Sequence, residues 1–193
     1  MISAVVMAAG MSRRMGTPKV LLPWGPTTVL GQVLQVLKAA SVEDVVVVTG
    51  AARDEVEAIC LQSGARTVSN PAYESGEMLS SLQVGLRDLP AESPAALIVL
   101  GDQPTIEQGV VHGIIQAYTD CGASLIVPSY HHRRGHPWLV GRELWPRLLA
   151  MRPPETPRDF LHHRAGIIHY VEVDTPSIVQ DIDTPDEYLN LRP

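Results

Sequence analysis

Met7-Ala8-Ala9-Gly10-Met11-Ser12-Arg13-Arg14-Met15-Gly16-Thr17-Pro18-Lys19 is the stretch from which the rest of the chain is read. It follows Ile2 to Val6, a largely apolar run expected as a buried strand. Small residues at Ala8, Ala9 and Gly10 leave room for a ligand against the backbone, and Gly16 permits a second tight bend. Arg13, Arg14 and Lys19 place three cations on this one loop. A strand that opens into a small-residue, cationic loop presents amide N–H groups and positive charge to a polyphosphate. The loop lacks the Gly-Lys-Ser/Thr ending of a Walker A loop and the Gly-x-Gly-x-x-Gly of a dinucleotide fold.

Beyond this loop, apolar runs alternate with helical periodicity. Val29, Leu30, Val33, Leu34 and Leu37 predict a helix over 28–40, with Thr27 or Thr28 as N-cap. Val45 to Thr49 is a β-branched strand, 53–63 a helix ended by Gly64, and Ala65 to Ser69 a short strand. Asn70-Pro71 breaks the chain before a helix over 78–89. Ala95 to Leu100 is a further buried strand, and Thr105 is expected to cap a helix reaching about Tyr118. Ser124 to Val127 and Trp138 to Val140 read as extended, with a basic loop, His131 to His136, between them. Helices are expected at 142–150 and 157–163, a strand at 167–173, and a short terminal helix after Asp181-Ile-Asp-Thr-Pro-Asp-Glu187. This alternation implies a three-layer α/β/α sandwich around a mostly parallel, Rossmann-like sheet, with residues 1–193 forming one domain. Ligands of such sheets bind outside the carboxyl ends of the strands, where the loops carrying Gly10, Asp102 and Asp183 are expected to meet.

Composition narrows the class. The chain has 193 residues, 45% hydrophobic and 19% charged, which suits a folded protein with one sizeable core. Cys60 and Cys121, far apart in apolar helix-like contexts, read as buried thiols in a reducing compartment. No apolar run is long enough to span a membrane and the N-terminus has no charged leader region, so a cytoplasmic protein without membrane partners is expected. The net charge of −6 argues against general nucleic-acid binding. No Asp or Glu precedes Glu43, so a basic start on an acidic chain points to an anionic ligand held there.

Four constellations carry candidate chemistry, each beside a plainer reading. Asp102, in Gly101-Asp-Gln-Pro104, ends a buried strand, and Asp183 precedes Thr184-Pro185. Two such carboxylates suit Mg²⁺, which takes one or two protein carboxylates and completes its shell with substrate phosphates. The plainer reading makes each aspartate a cap for the helix that follows. Ser80 and Ser81 are placed to hydrogen-bond a nucleotide, or else cap a helix together with Gly76. Arg134-Gly135-His136-Pro137 follows the strand at Ser124, where His136 either meets a substrate or is structural. His131, His132 and His136 lack the spacing of a tetrahedral zinc site.

Together these stretches resemble the MobA-like nucleotidyltransferases. The first matches Leu-Ala-Ala-Gly-x-Ser-x-Arg-Met-Gly-x-x-Lys at Ala8, Ala9, Gly10, Ser12, Arg14, Met15, Gly16 and Lys19, with Met7 in place of Leu. Asn70-Pro71 through Leu82 is similar to Asn-Pro-x-x-x-x-Gly-Met-x-x-Ser-Leu, with Glu77 as one extra residue, which leaves open which serine meets the nucleotide. Gly-Asp-Gln-Pro, Arg-Gly-His-Pro and Asp-Ile-Asp-Thr-Pro-Asp occurring together resemble the molybdenum cofactor cytidylyltransferase branch. The resemblance implies a fold of the nucleotide-diphospho-sugar transferase type. It also implies CMP transfer from CTP to the terminal phosphate of molybdopterin carrying molybdenum, with pyrophosphate released. On it, Ala8, Ala9, Gly10, Ser12, Arg14, Gly16, Lys19, Ser80 and Ser81 bind nucleotide. Arg14, Lys19 and Asp102 are catalytic, Asp102 and Asp183 hold Mg²⁺, and Arg134, Gly135 and His136 meet the acceptor. A molybdoenzyme or its chaperone is the implied recipient. The alternatives are the guanylyl branch, another small-molecule nucleotidyltransferase, or a protein that carries the finished cofactor without chemistry. A nicotinamide-dependent oxidoreductase is disfavoured, because no Gly-x-Gly-x-x-Gly follows a strand.

Overall fold

A computed structural model of the chain describes residues 1–12, 15–75 and 78–193. The first part runs β1 (Ser3–Met7), a hairpin of β2 (Pro23–Trp24) and β3 (Thr27–Thr28), α1 (Val29–Ala39), β4 (Asp44–Thr49), α2 (Arg53–Ser63), β5 (Arg66–Ser69), α3 (Met78–Asp88) and β6 (Ala95–Leu100). The second part runs α4 (Gln108–Cys121), β7 (Leu125–Tyr130), β8 (Arg133–Arg134), β9 (Trp138–Gly141), α5 (Trp145–Ala150), α6 (Pro157–His163), β10 (His169–Glu172) and α7 (Pro185–Leu191).

The main sheet has the order β10-β7-β9-β6-β1-β4-β5, with β8 paired to β7. β1 lies between β4 and β6, parallel to both, and β5 continues the parallel run beyond β4. β9 reverses the direction, pairing antiparallel with both β6 and β7. The expected mostly parallel, three-layer fold is present, and the strand alternation shows why. Ala4, Val6 and Ala8 face a core shared with α1 and α4, while Val5 and Ala9 face a second core shared with α3, α5 and α6. Val45/Val47 against Val46/Val48, and Leu97/Val99 against Ala96/Ile98, split the same way. A strand buried on both faces has to be apolar at every position, and so these strands read as continuous apolar runs.

Two details of packing set the site. Gly85 of α3 lies so close to the sheet that a Cβ would stand 2.2 Å from Val5 Cγ1, which seats α3 flat against β1 and β4. A small third core of Trp24, Val29 and Ile182, joined by Leu22, Tyr188 and Leu191, ties α7 to the chain just after the first loop. The Tyr188 hydroxyl donates to Pro23 O at 2.7 Å across this contact.

Several boundaries differ from those expected. Thr105 does not cap α4, which starts at Gln108 after Glu107; the Thr105 hydroxyl donates to Ser177 O at 3.5 Å instead. The helix is displaced because Ile106, just ahead of it, is buried in the core. α4 runs on to Cys121, where Gly122 ends it at φ 62°. Cys60 is buried as expected, but Cys121 at the C-terminal end of α4 is exposed. β7 continues past the expected Val127 to Tyr130. β9 pairs with it at Leu125 and Ile126, so Pro128, which lacks an N–H, removes no bond to β9. The 142–150 helix begins as a 3₁₀ turn at Arg142–Leu144, with Pro146 in the first turn of α5. The last strand is shorter than expected, since a 3₁₀ turn at Ala165–Ile167 precedes it and β10 pairs with β7 through His169 to Glu172 alone.

Candidate active site

The first loop leaves β1 pinned on both sides. Ala8 N–H donates to Val48 O at 3.0 Å, and Gly101 N–H donates to Met7 O at 3.0 Å. The close approach depends on glycine: a Cβ on Gly50 would stand 2.4 Å from Ala9 O, and one on Gly101 2.9 Å from Met7 O. Gly10 faces open space, with nothing within 4 Å of where a Cβ would lie. Ser12 takes a left-handed φ of 47° and organises the turn. Its carbonyl accepts from Met15 N–H and Gly16 N–H, and its hydroxyl accepts from Lys19 N–H at 2.9 Å.

These residues open onto a cavity of about 420 Å³ at the carboxyl ends of β1 and β6. Ala8, Ala9, Gly10, Ser12, Lys19, Ser81, Asp102 and Asp183 all line it, so chain-distant candidates converge as the topology implied. Gly16 and Ser80 are not among its lining residues. Gly16 makes the bend at φ 67°, and Ser80 precedes the lining residue Ser81 in α3. Arg14, together with Gly76 and the extra residue Glu77, lies outside the described residues.

The two aspartates do not cap helices. Lys19 Nζ reaches Asp102 Oδ2 at 3.3 Å and Asp183 Oδ1 at 2.5 Å. α7 is capped by Thr184, in a reciprocal box with Glu187, whose carboxylate also accepts from Asp183 N–H. Burial pushes the Asp102 carboxyl above its usual range, opposed by the Lys19 charge and reinforced by Asp181. Asp181 is raised in the same direction by burial, against the hydrogen bond it accepts from the Gln103 amide. Asp181 is thus a third carboxylate on this rim, beyond the expected pair; its signal was its place in the motif that carries Asp183.

Among the described residues, no group of three or more His, Cys, Asp or Glu side chains is arranged to hold a metal by itself. Two hard carboxylates open to a cavity fit Mg²⁺ or a similar cation that takes its other ligands from a bound phosphate, and not zinc. Asn70, also missed as a site residue, is 1% exposed and donates to both Ser80 Oγ and Ser81 Oγ at 3.0 Å. Its amide fixes both serines at the start of α3, the positive end of the helix dipole, which favours an anion.

A second cavity, of about 1050 Å³, adjoins the first; Met78, Leu100 and Asp181 line both. Arg134, Gly135 and His136 line it as one group, together with Arg133, Arg158 and His162. β7 turns into β8 through His131 and His132, both at positive φ (47° and 63°), as a two-residue hairpin turn requires. Arg134 is held by its guanidinium, which donates to the Tyr170 hydroxyl at 3.0 and 2.6 Å. Gly135 must be glycine, since a Cβ would stand 2.2 Å from Ile178 O. His136 N–H donates to that same carbonyl at 2.9 Å, and burial lowers its imidazole pKa to about 4, so it is neutral near pH 7. Arg158 and His162 come from α6. Nothing local marked them, because they reach the cavity only through the sheet order.

The profile of the MobA-like NTP transferase domain matches residues 4–168. The chain is 30% identical over 194 residues to the molybdenum cofactor cytidylyltransferase of Escherichia coli (strain K12), covering 99% of this chain and 95% of that protein. It is 26% identical over 201 residues to the nicotine blue oxidoreductase of Paenarthrobacter nicotinovorans, covering 98% and 96%. Among solved structures, Rv0371c from Mycobacterium tuberculosis H37Rv superposes with a TM-score of 0.87 at 29% identity, covering 98% of this chain and 96% of that one. The same protein in complex with manganese gives a TM-score of 0.82 at 29% identity over 99% and 97%.

Proposed function

The chain belongs to the MobA-like NTP transferase family, and on that premise we propose that it transfers CMP from CTP to the terminal phosphate of molybdenum-bearing molybdopterin. The observation that carries this reading is the pair of adjoining cavities. One is lined by small residues, carboxylates and Lys19, and the other by arginines and histidines, and they meet at Met78, Leu100 and Asp181. Such a pair suits a nucleoside triphosphate beside an anionic acceptor. The near full-length likeness to a cytidylyltransferase supports the choice of base and acceptor.

In the proposed reaction an oxygen of the acceptor phosphate attacks the α-phosphorus in line. A bond from that oxygen to the α-phosphorus forms, the bond to the bridging β-oxygen breaks, and pyrophosphate leaves with the electron pair. The acceptor is already anionic, so positioning and charge neutralisation matter more than a general base. The backbone from Ala8 to Gly10, anchored by the Ala8 N–H on Val48 O, seats the nucleotide base, with Ser12 and Gly16 shaping the loop around it. Ser80 and Ser81, fixed by Asn70, bind the nucleotide from the start of α3. Arg14 and Lys19 hold the β and γ phosphates and stabilise charge growing on the leaving group. Asp102 and Asp183 would hold Mg²⁺, which would neutralise phosphate charge; a solved relative in complex with manganese supports use of a divalent cation. Arg134 and the neutral His136 bind the acceptor, with Gly135 giving the close backbone. A molybdoenzyme or its chaperone would receive the product.

A pyrophosphate-release assay with CTP and GTP, each with and without molybdopterin, tests this. Release with CTP that depends on the acceptor is expected. Preference for GTP would move the protein to guanylyl transfer. Tight binding of the finished dinucleotide without pyrophosphate release would make it a carrier.

A further inference from the structure

We propose that Lys19 is the resident counter-ion of the nucleotide-free protein, holding Asp102 and Asp183 where a divalent cation takes over once nucleotide enters. The inference rests on the reading above that these two carboxylates take a divalent cation. Its starting point is where the Lys19 side chain lies. A lysine that serves phosphates is expected to extend into an empty cavity. Instead its ammonium sits at 3.3 Å from Asp102 Oδ2 and 2.5 Å from Asp183 Oδ1, with 12% of the side chain exposed. The carboxylates are 27% and 35% exposed, so the ion pairs are partly withdrawn from water and weakly screened.

The charge pattern favours an ammonium at this place. Asp102, Asp181 and Asp183 all line the cavity, and Lys19 is the one cation among its described lining residues. Its charge offsets part of the cost of drawing two partly buried carboxylates together. A divalent cation placed between the same oxygens supplies twice the charge and makes the ammonium redundant there. The backbone of Lys19 need not move for this exchange. Its N–H is fixed on Ser12 Oγ at 2.9 Å, and it begins a 3₁₀ turn, Lys19–Leu21. The flexible four-carbon stem carries a compact charge that can swing while its root stays in place.

What the ammonium swings to decides the order of events. With a triphosphate in the cavity, the displaced ammonium gains phosphate oxygens as partners. With no triphosphate, a metal ion has to displace a tethered cation that gains only water. Metal therefore binds weakly alone and tightly with nucleotide, and by linkage nucleotide binds more tightly with metal. Lys19 in this way serves two sets of oxygens in turn: the carboxylates before binding and the phosphates after it.

The test uses Mn²⁺ as the probe, read from the electron paramagnetic resonance signal of the free aquo ion, with α,β-methylene CTP as the nucleotide. Wild type is expected to bind Mn²⁺ at least roughly 10-fold more tightly with the analogue than without it. Lys19→Met and Lys19→Gln are expected to bind Mn²⁺ without nucleotide roughly 10-fold more tightly than wild type, and to gain less from the analogue. Folding of each variant is checked by circular dichroism. If both folded variants bind Mn²⁺ no more tightly than wild type, while Asp102→Asn and Asp183→Asn still weaken it, the exchange is wrong and the metal site stands. If neither Asn variant changes Mn²⁺ affinity, the carboxylate metal site is wrong and the exchange falls with it.

Discussion

The two cavities sit side by side but are built in opposite ways. The first is walled by the loops that leave β1 and β6 and by the start of α3, with backbone packed so closely behind them that Gly50 and Gly101 admit no side chain. Its charges are inward and mutually paired, Lys19 against Asp102 and Asp183. The second stands on the antiparallel part of the sheet, where β7, β8 and β9 turn back on themselves. Its charges are outward: Arg133, Arg134 and His132 are exposed, and Arg134 rests on a tyrosine hydroxyl and ring rather than on a carboxylate. The difference teaches how each is expected to respond to change. A tightly paired site loses function sharply when one charge is removed, because the pairing that sets its geometry is broken. A site of several exposed cations loses affinity by degrees.

The largest expected effect is therefore in the first cavity. Lys19→Ala, Asp102→Asn and Asp183→Asn, and Arg14→Ala on sequence grounds, should each lower turnover by roughly 10²-fold or more with the fold retained. The two Asn variants should also need more Mg²⁺ to recover what remains. Near-normal rates with unchanged magnesium dependence would erase the contrast by removing these residues from the chemistry. Arg134→Ala should be milder. A rise of roughly 10-fold in the KM for the acceptor is expected, with the KM for nucleotide unchanged, because one exposed cation among several is lost. Equal rises in both KM values would merge the two cavities into one functional unit.

The smallest effect concerns stability. Burial lowers the His136 pKa to about 4 from an ordinary 6.5, so the unfolded chain binds the proton more readily. Its neutral form contributes fully above about pH 6.5, and the contribution is lost as pH falls toward 4. The full shift corresponds to about 3 kcal/mol, and solvent at the cavity edge reduces the expected change to about 1–2 kcal/mol. Denaturant melts of wild type and His136→Gln at pH 7 and pH 4.5 isolate it, since other titrating groups cancel in the difference. The stability of wild type relative to the variant should fall on acidification, and a constant difference would show that His136 is solvated in the folded protein.

How far the sequence reached varies by element in a way that follows from locality. α2 ends where Gly64 stops it, at φ 82°, and α1 starts where Thr28 accepts from Gly31 N–H. These signals operate within one turn, so they are legible in the letters. Thr105 misled because the same Thr-before-helix signal was overridden by burial of Ile106, a tertiary fact. The shortened β10 shows the same: its length is set by which residues of β7 remain to pair with it.

The order of apolar runs by itself determined the layered, mostly parallel sheet, and the small-residue cationic loop determined which end of it carries the site. Both are encoded in stretches of ten or so residues, where periodicity and turn chemistry act. Which charge meets which was decided only by the tertiary structure. Lys19 finds Asp102 across 83 residues and Asp183 across 164. Asn70 fixes two serines on the next helix, and α6 delivers Arg158 and His162 to a cavity begun by β8. Electrostatic partners depend on distances of a few ångströms, and those distances follow from strand order and helix seating, which no local pattern in the chain records.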